Sequence, residues 1–142
     1  MTGIYERERD QLLDAALNHV AFDGWSDASF KAAVAETGLD ASIARATCPR
    51  GAIDLAAAFH RRGDAAMLER LATADLSEHR FRDKIAAAVR FRLEAVVDKE
   101  AVRRGVTLFA LPIYAADGAK LIWGTSDAIW TCLLYTSDAA DE

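Results

Sequence analysis

Apolar residues recur at helical spacing from one end of the chain to the other. Leu12, Leu13, Ala16, Leu17 and Val20 repeat at three- and four-residue intervals, with Arg7, Arg9, Asp10 and Asp14 between or before them. This pattern predicts an amphipathic helix over residues 5–22, stopped by the turn pair Asp23-Gly24. Ser26 or Asp27 caps a second helix with Phe30, Ala33 and Val34 inward, and Gly38 ends it as a left-handed cap. Asp40 caps a short third helix, anchored by Ile43 and Ala46 and halted by Pro49.

A longer helix follows Gly51 and carries Ile53, Leu55, Phe59, Met67, Leu68 and Leu71. Gly63 inside it costs about 1 kcal/mol relative to alanine and marks a place to kink or break. Ser77 caps the next helix, in which Phe81, Ile85, Val89, Leu93 and Val96 form one apolar stripe. Asp98 caps another, with Val102, Val106, Phe109 and Ala110 inward, ending before Pro112. Asp117-Gly118 reads as a further turn, followed by a last apolar helix with Leu121, Ile122, Trp123, Ile129 and Trp130. No strand alternation and no internal repeat interrupt the pattern. The predicted fold is all-α.

Composition narrows the class. A chain of 142 residues suits one domain. Its 52% apolar and 27% charged residues are a globular mixture. Lys+Arg 17 against Asp+Glu 22 leaves a net charge of −5, which disfavours a general grip on nucleic-acid phosphate. Two cysteines, Cys48 and Cys132, are too few for a disulfide scaffold or a structural zinc site. The opening MTGIYERERDQLL lacks the apolar stretch of a secretory signal. The expectation is a soluble intracellular protein.

No catalytic constellation stands out. His19, His60 and His79 are predicted on three different helices, with no carboxylate or cysteine at metal-ligand spacing. Glu78 and His79 are adjacent and point to different faces, unlike the Glu-x-x-His pairs of a di-metal bundle. Cys48, before Pro49, reads as a small buried side chain without a neighbouring base. The first three helices have the order of a TetR-type helix-turn-helix. Yet over residues 26–50 the cations Lys31, Arg45 and Arg50 are balanced by Asp27, Glu36 and Asp40. The third helix offers one arginine and no Asn, Gln, Tyr or Lys for base edges. The arrangement lacks the electrostatics of a DNA reader.

The later helices carry a heavy apolar load. Phe91, Leu93, Val96 and Val97 precede Val106, Leu108, Phe109, Leu111 and Ile113, and then Leu121, Ile122, Trp123, Ile129 and Trp130. Such stripes either fill a core and a dimer interface, the simpler reading of the pattern, or line a cavity for an apolar ligand. Trp123 and Trp130, seven apart, share one helix face, which suits a core, an interface or a pocket mouth.

Several strings carry a family resemblance. HVAFDGWSDASFKAA resembles the His-Val-Pro-Phe-Asp-Gly-Trp-Ser/Thr segment of the ubiquinone-biosynthesis accessory proteins, the ninth coenzyme Q protein and its bacterial relatives, with Ala21 in place of the usual proline. ATCPRGAIDLAAAFHRRGDAAMLERL is similar to the family's Phe-Pro-Gly-Gly segment, with Cys48 for the aromatic and Arg50 for the first glycine. KIAAAVRFRLEAV, KEAVRRGVTLFALP and SDAIW resemble three further blocks in order. Together these cover residues 8–130, although Tyr114 replaces a usual asparagine.

The resemblance implies a TetR-like helical bundle turned to lipid work. On this reading residues 1–131 are one domain, with a helix-turn-helix-like unit over 5–50 and lipid-binding and dimerisation helices over 51–131. Such a protein is no enzyme. It is expected to form a homodimer, bind an isoprenoid lipid or quinone precursor, and present it to the pathway's di-iron hydroxylase. It would use no metal and no other cofactor, and would not bind DNA. The lipid-binding candidates are Leu93, Val97, Val106, Phe109, Ile122 and Trp123. Asp127, Ile129 and Trp130 match a surface patch expected to touch the hydroxylase. The implied location is the bacterial cytoplasm at the inner membrane, or the matrix side of that membrane in mitochondria. The family's Asp-x-Asn-Trp-Tyr segment and membrane-binding helix, due after Trp130, are missing from this chain. The ending LLYTSDAADE instead resembles translated read-through of a sequencing adapter. Residues 132–142 are then a non-native tail and the lipid-binding part is incomplete; the plainer alternative is an ordinary acidic helix end. The competing function is a TetR-type transcriptional regulator with a small-molecule pocket.

Overall fold

The computed structural model describes the backbone of residues 5–96 and 98–141 and the side chains of residues 5–96 and 98–134. Among these residues the chain is all-α: α1 Glu6–Asp23, α2 Asp27–Thr37, α3 Ala41–Thr47, α4 Ala52–Thr73, α5 Phe81–Glu94, α6 Lys99–Phe109 and α7 Ala115–Asp141. One 3-10 turn, Pro112–Tyr114, separates the last two. Contacts gather the chain into two compact units, Met1–Phe59 with Asp98–Ala115, and His60–Val97 with Ala116–Glu142.

Local chemistry sets most helix starts. Ser26 caps α2 in a reciprocal box with Ser29, each side chain meeting the other residue's backbone N–H. Asp40 accepts from the Ser42 N–H at 2.9 Å, and Asp98 accepts from the Ala101 N–H at 3.0 Å. Gly38 ends α2 at φ 69°, a left-handed geometry in which a Cβ would clash with the backbone. Ser77 is a different case. It lies ahead of α5, where its hydroxyl and N–H both donate to Asp75 in a turn, and α5 starts after Arg80 without a side-chain cap. His79 accordingly sits in this connection, not on a helix.

The first unit is built around Leu12, Leu13, Ala16 and Val20 of α1, with Phe30 and Ala33 of α2 and Leu55 and Ala56 of α4. Trp25, in the α1–α2 turn, is only 6% exposed. Its ring meets Phe59 at 5.6 Å between centroids, and its Nε1–H donates to the Ala101 carbonyl at 3.0 Å. The indole therefore ties α4 and α6 to the α1–α2 turn. Arg104 of α6 also donates to the Ala21 carbonyl at 3.1 Å, placing a cation at the negative end of α1. In α3 the buried residues are Ala44 and Thr47, while Ile43 and Ala46 are exposed. The helix is turned about 100° from the expected face, and the small Ala44 side chain suits close packing.

The second unit buries Met67 and Leu71 of α4, Ala87, Ala88 and Phe91 of α5, and Leu133 of α7. Only the start of the expected α5 stripe faces this core: Phe81 and Ile85 pack against it, while Val89 and Leu93 are exposed. Residues at four-residue spacing advance about 40° per step, so a stripe from 81 to 93 winds off the face it started on. The buried set, Lys84, Ala87, Ala88 and Phe91, mixes three- and four-residue steps and stays on one face. In α6 the same drift leaves Val106 and Ala110 exposed, with Ala101 buried. Asp117-Gly118 is no turn. Both lie in the first turns of α7, because Pro112 has already broken the chain and Asp117 suits a helix start.

Replacing Trp25 with alanine should lower unfolding stability by about 3–5 kcal/mol. Trp25→Phe should keep the ring contact and lose about 0.5–1.5 kcal/mol, because the indole hydrogen bond to the Ala101 carbonyl is gone. Urea midpoints of the two variants against the parent test both figures; an unchanged midpoint for Trp25→Ala would refute this packing.

Candidate functional site

The second unit has a polar clasp that joins three helices. His60 and Asp64 lie one turn apart on α4, Arg92 comes from α5 and Thr125 from α7. The Thr125 hydroxyl is 2.7 Å from Asp64 Oδ1 and 2.7 Å from His60 Nε2. Arg92 Nε donates to the same Asp64 oxygen at 2.7 Å, and its Nη2 donates to the His60 carbonyl at 2.9 Å. A carboxylate only accepts, so Thr125 gives its proton to Asp64 and His60 donates from Nε2 to Thr125.

That direction matters for chemistry. A hydroxyl nucleophile needs a histidine that takes its proton, and here His60 gives one. Asp64 is engaged by Arg92 and does not orient the other ring nitrogen of His60. The arrangement is a clasp holding α4, α5 and α7. Burial pushes the His60 pKa below its ordinary value of 6.5, with the Arg92 charge adding to the depression and Asp64 opposing it.

Gly63 explains how Arg92 comes so close. A Cβ at position 63 would stand 2.4 Å from Arg92 Nη1, so the guanidinium occupies the space of the missing side chain. The glycine expected to kink α4 instead sits in an unbroken helix and admits a cation against its backbone.

Elsewhere the polar groups are quiet. Burial, followed by the charge of Asp54, pushes the Cys48 thiol up to about 11, so it is protonated at neutral pH and a poor nucleophile. Among the described residues no group of three or more His, Cys, Asp or Glu could hold a metal ion. In α3 the Arg45 guanidinium lies 5.4 Å over the Phe30 ring, so the one cation of that helix packs on its own unit.

The apolar candidates separate by unit. In the second, Leu93 of α5 is exposed, and on α7 Ile122 is 66% and Trp123 74% exposed. Trp130 is half covered, its ring tilted against Phe81 at 5.4 Å. Trp123, Trp130 and Leu134 fall on one face of α7, at steps of seven and four residues, and all three are exposed. Asp127 is exposed beside them, whereas Ile129 packs on the core of this unit. In the first unit Val106 is exposed, while Phe109 packs against the core. Val97 lies outside the described residues. Among the described residues no single helix is long and apolar enough to cross a membrane.

The second unit also contains a cavity of about 150 Å³, lined by Leu71, Ala74, Asp75, Leu76, Ser77, Lys84, Cys132 and Leu133. None of the lipid-binding candidates lines it. Pockets for drug-sized ligands run to about 300–1,000 Å³, so this cavity cannot enclose an isoprenoid chain.

Comparison with known proteins finds no family model, no curated protein and no solved structure that matches the chain.

The clasp yields two expectations. Gly63→Ala should destabilise the chain although alanine favours helix by about 1 kcal/mol, because the Cβ evicts Arg92 from Asp64. In an Arg92→Ala background the same change should stabilise; equal effects in both backgrounds would show that Arg92 does not fill that space. The depressed His60 pKa means that its contribution is complete above about pH 6.5 and is lost as pH falls toward the folded value. Thermal midpoints measured downward from pH 7.5 should fall more steeply for the parent than for His60→Gln.

Proposed function

We propose that this chain is a non-enzymatic lipid-binding accessory protein of ubiquinone biosynthesis. It presents an isoprenoid quinone precursor to the pathway's di-iron hydroxylase, and acts as a homodimer at the inner membrane surface. The observation that carries the reading is the exposure of Ile122 and Trp123 on α7. An indole has about 150–250 Å² of surface to bury, at roughly 25 cal/mol per Å². Large apolar side chains grouped in the open normally mark a surface that binds something. The strings HVAFDGWSDASFKAA, KIAAAVRFRLEAV and KEAVRRGVTLFALP support the class of ligand, an isoprenoid lipid, through their resemblance to the accessory family. Asp127 and the half-covered Trp130, on the same helix, are the proposed contacts to the hydroxylase.

The helix order of α1 to α3 favours one other reading, a TetR-type regulator. Its weak point is α3, which exposes Ala41, Ser42, Ile43 and Ala46 with Arg45 as its single cation. Those side chains offer little to phosphates or base edges.

Lipid extracted from the purified chain and identified by mass spectrometry tests the main reading, with an isoprenoid quinone precursor as the expected species. Trp123→Glu should lower the co-purified lipid at least tenfold while helical circular dichroism persists, since the side chain is already exposed. Unchanged lipid would remove α7 from the site. A selection from genomic fragments should retain no DNA tighter than about 10⁻⁴ M at physiological salt; nanomolar retention would establish the regulator instead.

A further inference from the structure

We infer that the exposed face of α7 seats a second copy of this chain, paired antiparallel about a two-fold axis between Trp123 and Gly124. Ala128, Ile129 and Leu133 turn α7 toward the core of its unit. The face turned away carries Ala116, Lys120, Trp123, Gly124, Asp127 and Leu134, all exposed. Steps of three and four residues hold them in one stripe. The two charges in it, Lys120 and Asp127, are opposite in sign and seven positions apart, about 10.5 Å along the helix. That is too far for them to pair within one chain. Where two antiparallel copies set Lys120 against Asp127, symmetry makes the reverse pair as well, the self-complementary pattern of a two-fold interface.

The same register sets Trp123 of each copy against Gly124 of the other. Gly124 lies in the body of a helix, where glycine is disfavoured relative to alanine. A Cβ there would meet nothing within 4 Å, so no close approach inside the chain calls for a glycine. Across the axis, the missing side chain makes room for an indole that is 74% exposed in one copy. A parallel pair would instead set lysine on lysine and aspartate on aspartate, so charge selects the antiparallel arrangement. The pairing rests on the homodimer proposed above and names the face that forms it. Ile122 lies about 140° around the helix from Asp127 and stays open to lipid, while the hydroxylase and the second copy compete for Asp127.

Sedimentation equilibrium of the full chain at low ionic strength, where charge is least screened, tests the pair. A monomer–dimer equilibrium is expected. Lys120→Asp and Asp127→Lys should each weaken it about tenfold by setting like charges opposite one another. The double exchange should restore it to within about threefold of the parent. Gly124→Leu, which fills the Trp123 seat, should weaken it at least tenfold. All three positions are exposed, so helical circular dichroism should persist in every variant. A dimer indifferent to Lys120→Asp, or a double exchange no better than the single ones, would overturn this face and leave the homodimer to form elsewhere. A monomeric parent would overturn both, and its flotation with phosphatidylglycerol vesicles would give the face to a lipid surface. Lipid extracted from the same samples reports on the lipid reading separately.

Discussion

The hydrogen bond from the Trp25 indole to the Ala101 carbonyl is the constraint on which the first unit depends. It joins positions 76 residues apart, and the same ring packs on Phe59 of α4. Without it, α6 would be held to the unit by Arg104 at Ala21 and by side chains such as Leu108 and Phe109, which are only partly buried. A tryptophan is suited to this place because it contributes a large apolar face and one donor. Neither a phenylalanine nor a short polar residue offers both.

The second unit solves the same problem with charge. Asp64 takes the Arg92 guanidinium and the Thr125 hydroxyl on one oxygen, and α4, α5 and α7 meet there. Such a node brings stability only while every member is satisfied. The core of this unit sets Met67, Leu71, Phe91 and Leu133 around Ala87 and Ala88 of α5. Small side chains let helices approach, and they leave the larger Leu93, Ile122 and Trp123 outside.

What could be read from the sequence follows the range of each interaction. The caps Ser26, Asp40 and Asp98 and the left-handed Gly38 act within four residues, so their spacing revealed them. Burial faces were harder, because a stripe such as Phe81, Ile85, Val89 and Leu93 is apolar throughout, yet only its first two members pack inward. The turn expected at Asp117-Gly118 failed because a nearby proline had already provided the break. Trp25 meets Phe59 and Ala101 across long stretches of chain, and no local spacing joins the three. Of the clasp, only His60 and Asp64 are close in sequence, a one-turn pair that the reading of ligand spacing passed over; Arg92 and Thr125 reach it from distant helices. Ile122 and Trp123 are apolar at helical spacing like the core residues around them, and nothing local distinguishes a buried position from one that stands in solvent.

The first unit is interrupted, since Met1–Phe59 must wait for Asp98–Ala115. During synthesis at about 5–20 residues per second, the 76 residues between Trp25 and Ala101 correspond to roughly 4–15 s. Through that interval α1, α2 and α3 can form, because their caps are local, yet the indole lacks its acceptor. The nascent chain therefore carries a sticky aromatic surface on the ribosome for seconds, long enough for a chaperone to find it. Growth conditions that slow translation lengthen that exposure without altering the finished fold.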